Sequence, residues 1–176
     1  MIKYFSIAVA LVSIVLIATA IVVIDQGHDN RLENQVYLNV LGLVGTGSDF
    51  DSKIIVSRPA ACLLDESILD LMPDDMRMDY LDKNKNRDAI IRLSALEGKY
   101  NVLTWDTAQE FKGKESVIIA ARYPEKQPLY LSRVGFNTEH TKAVLCVNYL
   151  RGHTLDMYEL KDEKWLHVTA LSQTVE

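Results

Sequence analysis

The feature that most constrains this chain is an uncharged run of 21 residues, Tyr4 to Ile24. As an α-helix at about 1.5 Å per residue, such a run measures roughly 30 Å, the thickness of a bilayer's hydrocarbon core. Lipid offers no water to backbone polar groups, so even the β-branched stretch Ile21-Val22-Val23-Ile24 is expected to be helical there. Residues 1–24 are therefore read as a transmembrane signal anchor that meets the lipid bilayer through residues 4–24. A second reading is a cleaved signal peptide, with Lys3 as n-region, Phe5 to Ile17 as h-region and Ala18-Thr19-Ala20 as cleavage site. The apolar run continues past that site to Ile24, which favours the anchor. Both readings send the rest of the chain out of the cytoplasm. Lys3 on one side, against Asp25, Asp29, Arg31 and Glu33 on the other, orients the N-terminus inward. The expectation is a single-pass protein of a bacterial inner membrane with a periplasmic C-terminal domain.

Composition acquires meaning once that segment is set apart. Twenty of the first 24 positions are apolar, and without them a chain that is 48% hydrophobic falls to about 42%, ordinary for one water-soluble domain. The remainder holds all 24 acidic residues against 18 of the 19 basic ones, a formal charge of -6. Such a balance disfavours nucleic acid and anionic lipid headgroups as main partners.

Leu32, Val36, Val40, Leu43 and Val44 recur at i, i+4, i+8, i+11 and i+12, which predicts a juxtamembrane amphipathic helix over residues 25–44. Its apolar stripe packs either on the chain's own domain or on a second anchored chain in a helix-mediated oligomer. Residues 45–52 read as a linker, because Gly45-Thr46-Gly47-Ser48-Asp49 breaks the helix. Gly42, Gly45 and Gly47 close a helix and are not followed by Lys-Ser/Thr, so they do not make a phosphate loop.

Residues 53–176 are expected to form one extracytoplasmic α+β domain. Lys53 to Ser57 is a predicted strand, with Asp65 capping a short helix to Leu71. Asp74 or Asp75 caps another helix over Met76 to Leu81, after Pro73. Lys99 to Trp105 reads as a strand, Thr107 to Phe111 as a helical turn, and Val117 to Arg122 as either a strand or a helix. Four β-rich runs follow: Leu129 to Phe136, Lys142 to Leu150, Leu155 to Leu160 and Lys164 to Leu171. Their short connections force antiparallel neighbours, so the predicted architecture is a four-stranded antiparallel meander packed with short helices.

The heptapeptide Leu131 to Asn137, the strand Thr141 to Val147 and the pair Lys164-Trp165 resemble a group of bacterial exported proteins with no assigned activity. That group shares an SRxGFN turn, an alanine-led hydrophobic strand and a closing strand starting near Lys-Trp. Asp82-Lys83-Asn84 and Tyr100 to Leu103 sit where the group has similar residues, and the likeness covers roughly Asp65 to Val168. After Arg151 the group usually has a glycine-rich, often cysteine-containing loop, where this chain has Gly152-His153-Thr154-Leu155-Asp156. The resemblance implies export and domain type, and no chemistry.

Cys62 and Cys146 are the two cysteines of the chain, and they are either paired in a disulfide or buried as thiols. A strand centre at Cys146 does not suit a nucleophile. Asp82, Asn84, Asn86 and Asp88 copy the first positions of an EF-hand loop, but Arg87 stands where glycine is needed and Leu93 where a bidentate Glu belongs. His28, His140, His153 and His167 have no zinc-binding spacing, and Ser132 lacks a nucleophile elbow. No cofactor, metal or catalytic residue is therefore assigned. Arg133 to Asn137 has a structural reading, in which Gly135 takes a positive φ at a bulge, Phe136 buries its ring and Asn137 starts a turn. In the functional alternative, Arg133 at the sheet's end grips an anionic group of a partner.

The leading expectation is a non-enzymatic, membrane-anchored protein-binding domain, an accessory subunit of an envelope complex or an immunity-type protein. Its partner-binding candidates are Arg133, Asn137, Leu32, Val36 and Val40. An envelope hydrolase using Ser132 and a domain binding a small ligand or lipid are the alternatives.

Overall fold

A computed structural model describes residues 29–42, 53–56, 62, 64, 66–85, 91, 93, 96, 100–103, 115–149 and 152–175. The anchor expected over residues 4–24, the linker 45–52 and the turn expected over Thr107 to Phe111 lie outside them. Among the described residues, no helix is long and apolar enough to cross a membrane. The chain divides into two compact units between Glu33 and Asn34. Residues 29–42 are helical (α1), so the described part of the first unit is that helix's first turn.

In the second unit the elements after α1 are β1 (Lys53–Val56), α2 (Glu66–Leu69), α3 (Asp74–Asn84), β2 (Val102–Leu103) and α4 (Glu115–Arg122). They are followed by β3 (Gln127–Leu131), β4 (Gly135–Phe136), β5 (Lys142–Tyr149), β6 (Gly152–Lys161) and β7 (Lys164–Val175). The segment whose periodicity fits strand or helix, Val117 to Arg122, is helical. All the strands join one seven-stranded sheet in the order β2-β1-β3-β5-β6-β7, with β4 also paired to β5.

That sheet corrects the expected four-stranded antiparallel meander. β5, β6 and β7 are antiparallel neighbours as their short turns require, but β1 runs parallel to both β2 and β3. Parallel pairing needs a long crossover, and the segments between β1 and β2 and between β2 and β3 supply two, the second containing α4. The predicted strand Leu129 to Phe136 is also broken in two. Its ends, β3 and β4, both pair with β5, and residues 132–134 leave the ladder between them.

Pairing and side-chain alternation assign the core. On one face, Val144, Cys146 and Leu155 pack with Met72, Met76 and Tyr80, while Val56 and Leu103 pack with Ile119 of α4. On the other face, Ile55, Leu129, Leu131, Ala143, Leu145 and Val147 are each at most 1% exposed. β5 is therefore buried on both sides, which explains its continuous apolar run from Ala143 to Val147.

α1 is bound to this sheet. Tyr37 Oη donates to Ser132 O at 2.9 Å, and Asn39 Nδ2 donates to Trp165 O. Val36 and Val40 are 0% and 2% exposed, and Leu32 is also buried. Of the predicted stripe, Val36 and Val40 are thus buried within the second unit, while Leu43 and Val44 lie outside the described residues.

Cys62 and Cys146 form a disulfide, with Cα atoms 5.7 Å apart and a sequence separation of 84. It joins the segment before α2 to the centre of β5. Closing so long a loop restricts the unfolded chain, and the loop-entropy model gives about 4 kcal/mol. Replacing both cysteines by alanine is expected to lower the unfolding free energy by up to about 4 kcal/mol in urea titration. Reductant should then lower the wild-type midpoint while leaving the variant's unchanged.

Candidate functional site

The heptapeptide Leu131 to Asn137 was the most specific element of the sequence, and the structure gives its residues a shared task. They form the surface on which α3 is held. Where the chain leaves the ladder after β3, Ser132 N donates to Cys146 O at 2.9 Å, and Ser132 Oγ accepts from Cys146 N at 2.9 Å. The hydroxyl thus replaces a ladder carbonyl and also donates to Arg133 O at 2.9 Å. Ser132 is 0% exposed with its oxygen committed on both counts, which removes it as a hydrolytic nucleophile.

Arg133 is held through its backbone. Asn84 Oδ1 accepts from Arg133 N at 2.8 Å, while Asn84 Nδ2 donates to Arg133 O at 3.0 Å and to Tyr80 O at 2.8 Å. The amide mimics a neighbouring strand for one residue. Of the EF-hand-like spacing, Asp82 and Asn84 lie in helix α3 with the Asn84 side chain consumed by this pairing, and Asn86 and Asp88 lie outside the described residues.

Further toward the N-terminus of α3, Asp79 Oδ2 accepts from Phe136 N at 2.8 Å and pairs with Lys83 Nζ at 2.9 Å. Lys83 Nζ also lies 5.0 Å from the centre of the Phe136 ring. Asp75 Oδ2 accepts from Thr138 N at 2.7 Å and Thr138 Oγ1 at 2.9 Å, and its Oδ1 from Met76 N at 2.9 Å. Those Thr138 donors, the backbone amide foremost, hold the Asp75 carboxyl below the usual aspartate range.

Gly135 does not take the positive φ expected of it. Its reason is contact: a Cβ there would lie 2.5 Å from Tyr80 Cβ and 2.8 Å from Tyr80 Cα. The backbones of β4 and α3 touch because neither side places an atom between them. Asn137 behaves as the turn chemistry predicts, its Oδ1 accepting from Thr141 N at 2.9 Å and Lys142 N at 2.7 Å. Phe136 buries its ring against Trp165, with centroids 5.7 Å apart. Of the five partner-binding candidates, three lie in the buried stripe of α1, and the backbone of Arg133 and side chain of Asn137 serve this latch.

Two other features of the second unit were not legible beforehand. One is a polar cluster on β6 and β7, where Asp156 Oδ2 accepts from Thr154 Oγ1 at 2.9 Å and Asp156 Oδ1 lies 3.1 Å from His167 Nε2. Tyr158 meets the His167 ring edge-on at 5.6 Å, and burial first, then Asp156, pushes its phenol well above the usual range. The two-residue turn Asp162-Glu163 could have revealed the pairing of Tyr158 with His167, by counting back from Lys161 opposite Lys164. The register shift between Met157 and Tyr158 then places Thr169 opposite Met157, off the face that strand alternation alone would have it share with His167. Among the described residues, no three His, Cys, Asp or Glu side chains are arranged to hold a metal.

The other feature is an open, mainly apolar cavity of about 410 Å³. Cys62, Leu64, Leu69, Tyr80 and Leu81 line it, with Asn84 and Lys85 from the end of α3.

No protein-family model, curated protein or solved structure matches the chain.

Two measurements check the latch. Gly135→Ala is expected to cost about 1–3 kcal/mol, the range for forced overpacking, with the loss of hydrogen-exchange protection concentrated in α3. Asp75 contributes stability that is fully present above its ordinary pKa near 4 and is lost as pH falls through its lower folded value. Wild type should therefore exceed Asp75→Asn in stability at pH 7, with the gap closing below about pH 4.

Proposed function

We propose that this chain is a membrane-anchored, extracytoplasmic protein-binding domain without catalytic activity, and that it receives its partner along β7. The observation that carries this reading is the state of that strand. β7 ends the sheet, and residues 166–170 are exposed, so successive side chains on both faces of the strand meet solvent. Leu166 and Val168 are 47% and 49% exposed.

Protein edges are ordinarily blunted by proline, by inward charges or by brevity. This one has 12 residues, no proline, and a single charged residue, Lys164, at its beginning. Two register shifts in its pairing with β6 and the Asn39 side chain of α1 on Trp165 O are its visible interruptions, and residues 166–170 stay exposed beyond them. An edge of this kind suits strand addition, in which backbone hydrogen bonds give affinity and alternate side chains give selectivity.

Independent chemistry supports the compartment. A disulfide persists in oxidising surroundings, and the uncharged run Tyr4 to Ile24 supplies a membrane tether. The resemblance to exported bacterial proteins points to the periplasmic side of an inner membrane. The partner is then another envelope protein, such as a subunit of an envelope complex.

Photocrosslinking in intact host cells tests this, with a photoreactive residue in place of Leu166 or Val168 of the full chain. A discrete adduct with an envelope protein is expected, reduced at least tenfold when a lysine is introduced at the other of the two positions. Recovery of the chain without any adduct, or with cytosolic proteins alone, would overturn the proposal.

A further inference from the structure

We infer that the segment added at β7 carries an arginine or lysine whose side chain crosses Ala170 to reach the carboxylate of Asp156. The inference rests on strand addition at β7 and names the chemistry of the added segment.

Strand register places the groups. Thr154, Asp156 and Tyr158 alternate onto one face of β6, and their partners on β7 are Gln173, Ala170 and His167. Directly opposite residues share a face, so the six side chains lie together. The two register shifts widen the spacing along β7 from two residues to three, and Ala170 is the residue left opposite the carboxylate. Between Asp156 and the free edge the strand therefore presents a methyl group, and Ala170 is exposed.

Asp156 is the group that calls for a cation. Its side chain is 15% exposed, and its oxygens meet Thr154 Oγ1 at 2.9 Å and His167 Nε2 at 3.1 Å. Among the described residues, no lysine or arginine forms an ion pair with it. Its other neighbours are phenols, which supply no positive charge. Burial first, and then the Asp156 charge, hold Tyr158 above its usual range, and burial with a smaller contribution from Asp156 does the same to Tyr149. A carboxylate so far removed from water is costly without a cation beside it, and a guanidinium or ammonium offsets that cost.

The geometry of strand addition delivers such a group. Strands lie about 4.8 Å apart, so an added strand runs about 10 Å from β6. An aspartate and an extended arginine or lysine bridge that gap between them, and a short residue does not. Each Asp156 oxygen has accepted one hydrogen bond and keeps a lone pair for the newcomer. Arginine suits the site best, because its guanidinium is more weakly hydrated than an ammonium. The formal charge of -6 beyond residue 24 steers a basic segment in the same sense.

The test has two arms, both on the full chain. In detergent micelles, Ala170→Lys places a cation beside the carboxylate from within, and it is expected to raise the melting temperature by roughly 2 °C. That gain should vanish in an Asp156→Asn background. No gain, or an equal gain in both backgrounds, would overturn the inference whatever binds at β7.

In intact host cells, with a photoreactive residue in place of Val168, the adduct should fall roughly tenfold or more in Asp156→Asn and in Ala170→Lys. Asp156→Glu, which keeps the charge, should retain it. The attached peptide, read by mass spectrometry, should carry Arg or Lys within about two residues of the attachment, the reach of diagonal neighbours. Reversing that residue to Asp should restore the adduct of Asp156→Lys. Intact disulfide and melting temperature monitor folding, and Ala170→Lys, at an exposed position, serves alone should Asp156→Asn unfold. An adduct indifferent to these substitutions, or a partner segment without Arg or Lys, overturns the inference and leaves strand addition standing. An adduct between two copies of this chain overturns it too, and absence of any adduct removes strand addition and the inference together.

Discussion

Everything in the second unit that lies over the α2–α3 side of the sheet depends on the contact between Gly135 and Tyr80. The helix and strand backbones meet there with no side chain between them, since any Cβ on Gly135 would fall 2.5 Å from Tyr80 Cβ. That approach brings the acceptors Asp75, Asp79 and Asn84 within reach of the backbone amides of Thr138, Phe136 and Arg133. Moving α3 outward by the width of a methyl group would strain three hydrogen bonds together. One of the amides, Phe136, belongs to the short strand β4, whose outer edge has no strand partner among the described residues, and the other two flank it. The latch answers the edge problem and the helix-docking problem with the same residues.

This explains the unusual character of α3. An ordinary surface helix buries its apolar side and shows its polar side to water. Here Asn84 is buried and Asp79 half-buried to bind backbone, while Met78 and Leu81 are exposed. Met76 and Tyr80 remain as the apolar contribution to the core. The disulfide then fixes the segment before α2 to Cys146, two residues from Val144, which pairs with Gly135. Covalent and hydrogen-bonded constraints converge on a few residues of β5, and the cavity between them is left with a largely apolar wall.

Local chemistry was readable wherever neighbours in sequence decide the structure. Pro73 and the acidic pair after it mark the start of α3, and the turns Asn137 to His140 and Asp162-Glu163 set β4 beside β5 and β6 beside β7. Asn137 is recognisable as a turn residue because its partners lie four and five positions away. The parallel strand β1 was not readable as such, since Ile55 finds Leu129 across 74 residues and nothing local encodes the direction of approach. Ser132 and Gly135 show a different limit. A hydroxyl can be a nucleophile or a ladder acceptor and a glycine can serve a turn or a contact, and the choice depends on which backbone arrives beside them.

By itself, the sequence determined a membrane-length apolar run, an acidic domain beyond it, and the hairpins of the C-terminal third. Each of these follows from hydrophobicity or turn chemistry acting over a few residues. The tertiary structure decided that Val36 and Val40 of α1 are buried, that Cys62 meets Cys146, and that the heptapeptide Leu131 to Asn137 is a docking surface for α3. It also decided which surfaces stay exposed, among them residues 166–170 of β7. Exposure is a property of what fails to arrive at a surface, and no local pattern in a chain records that.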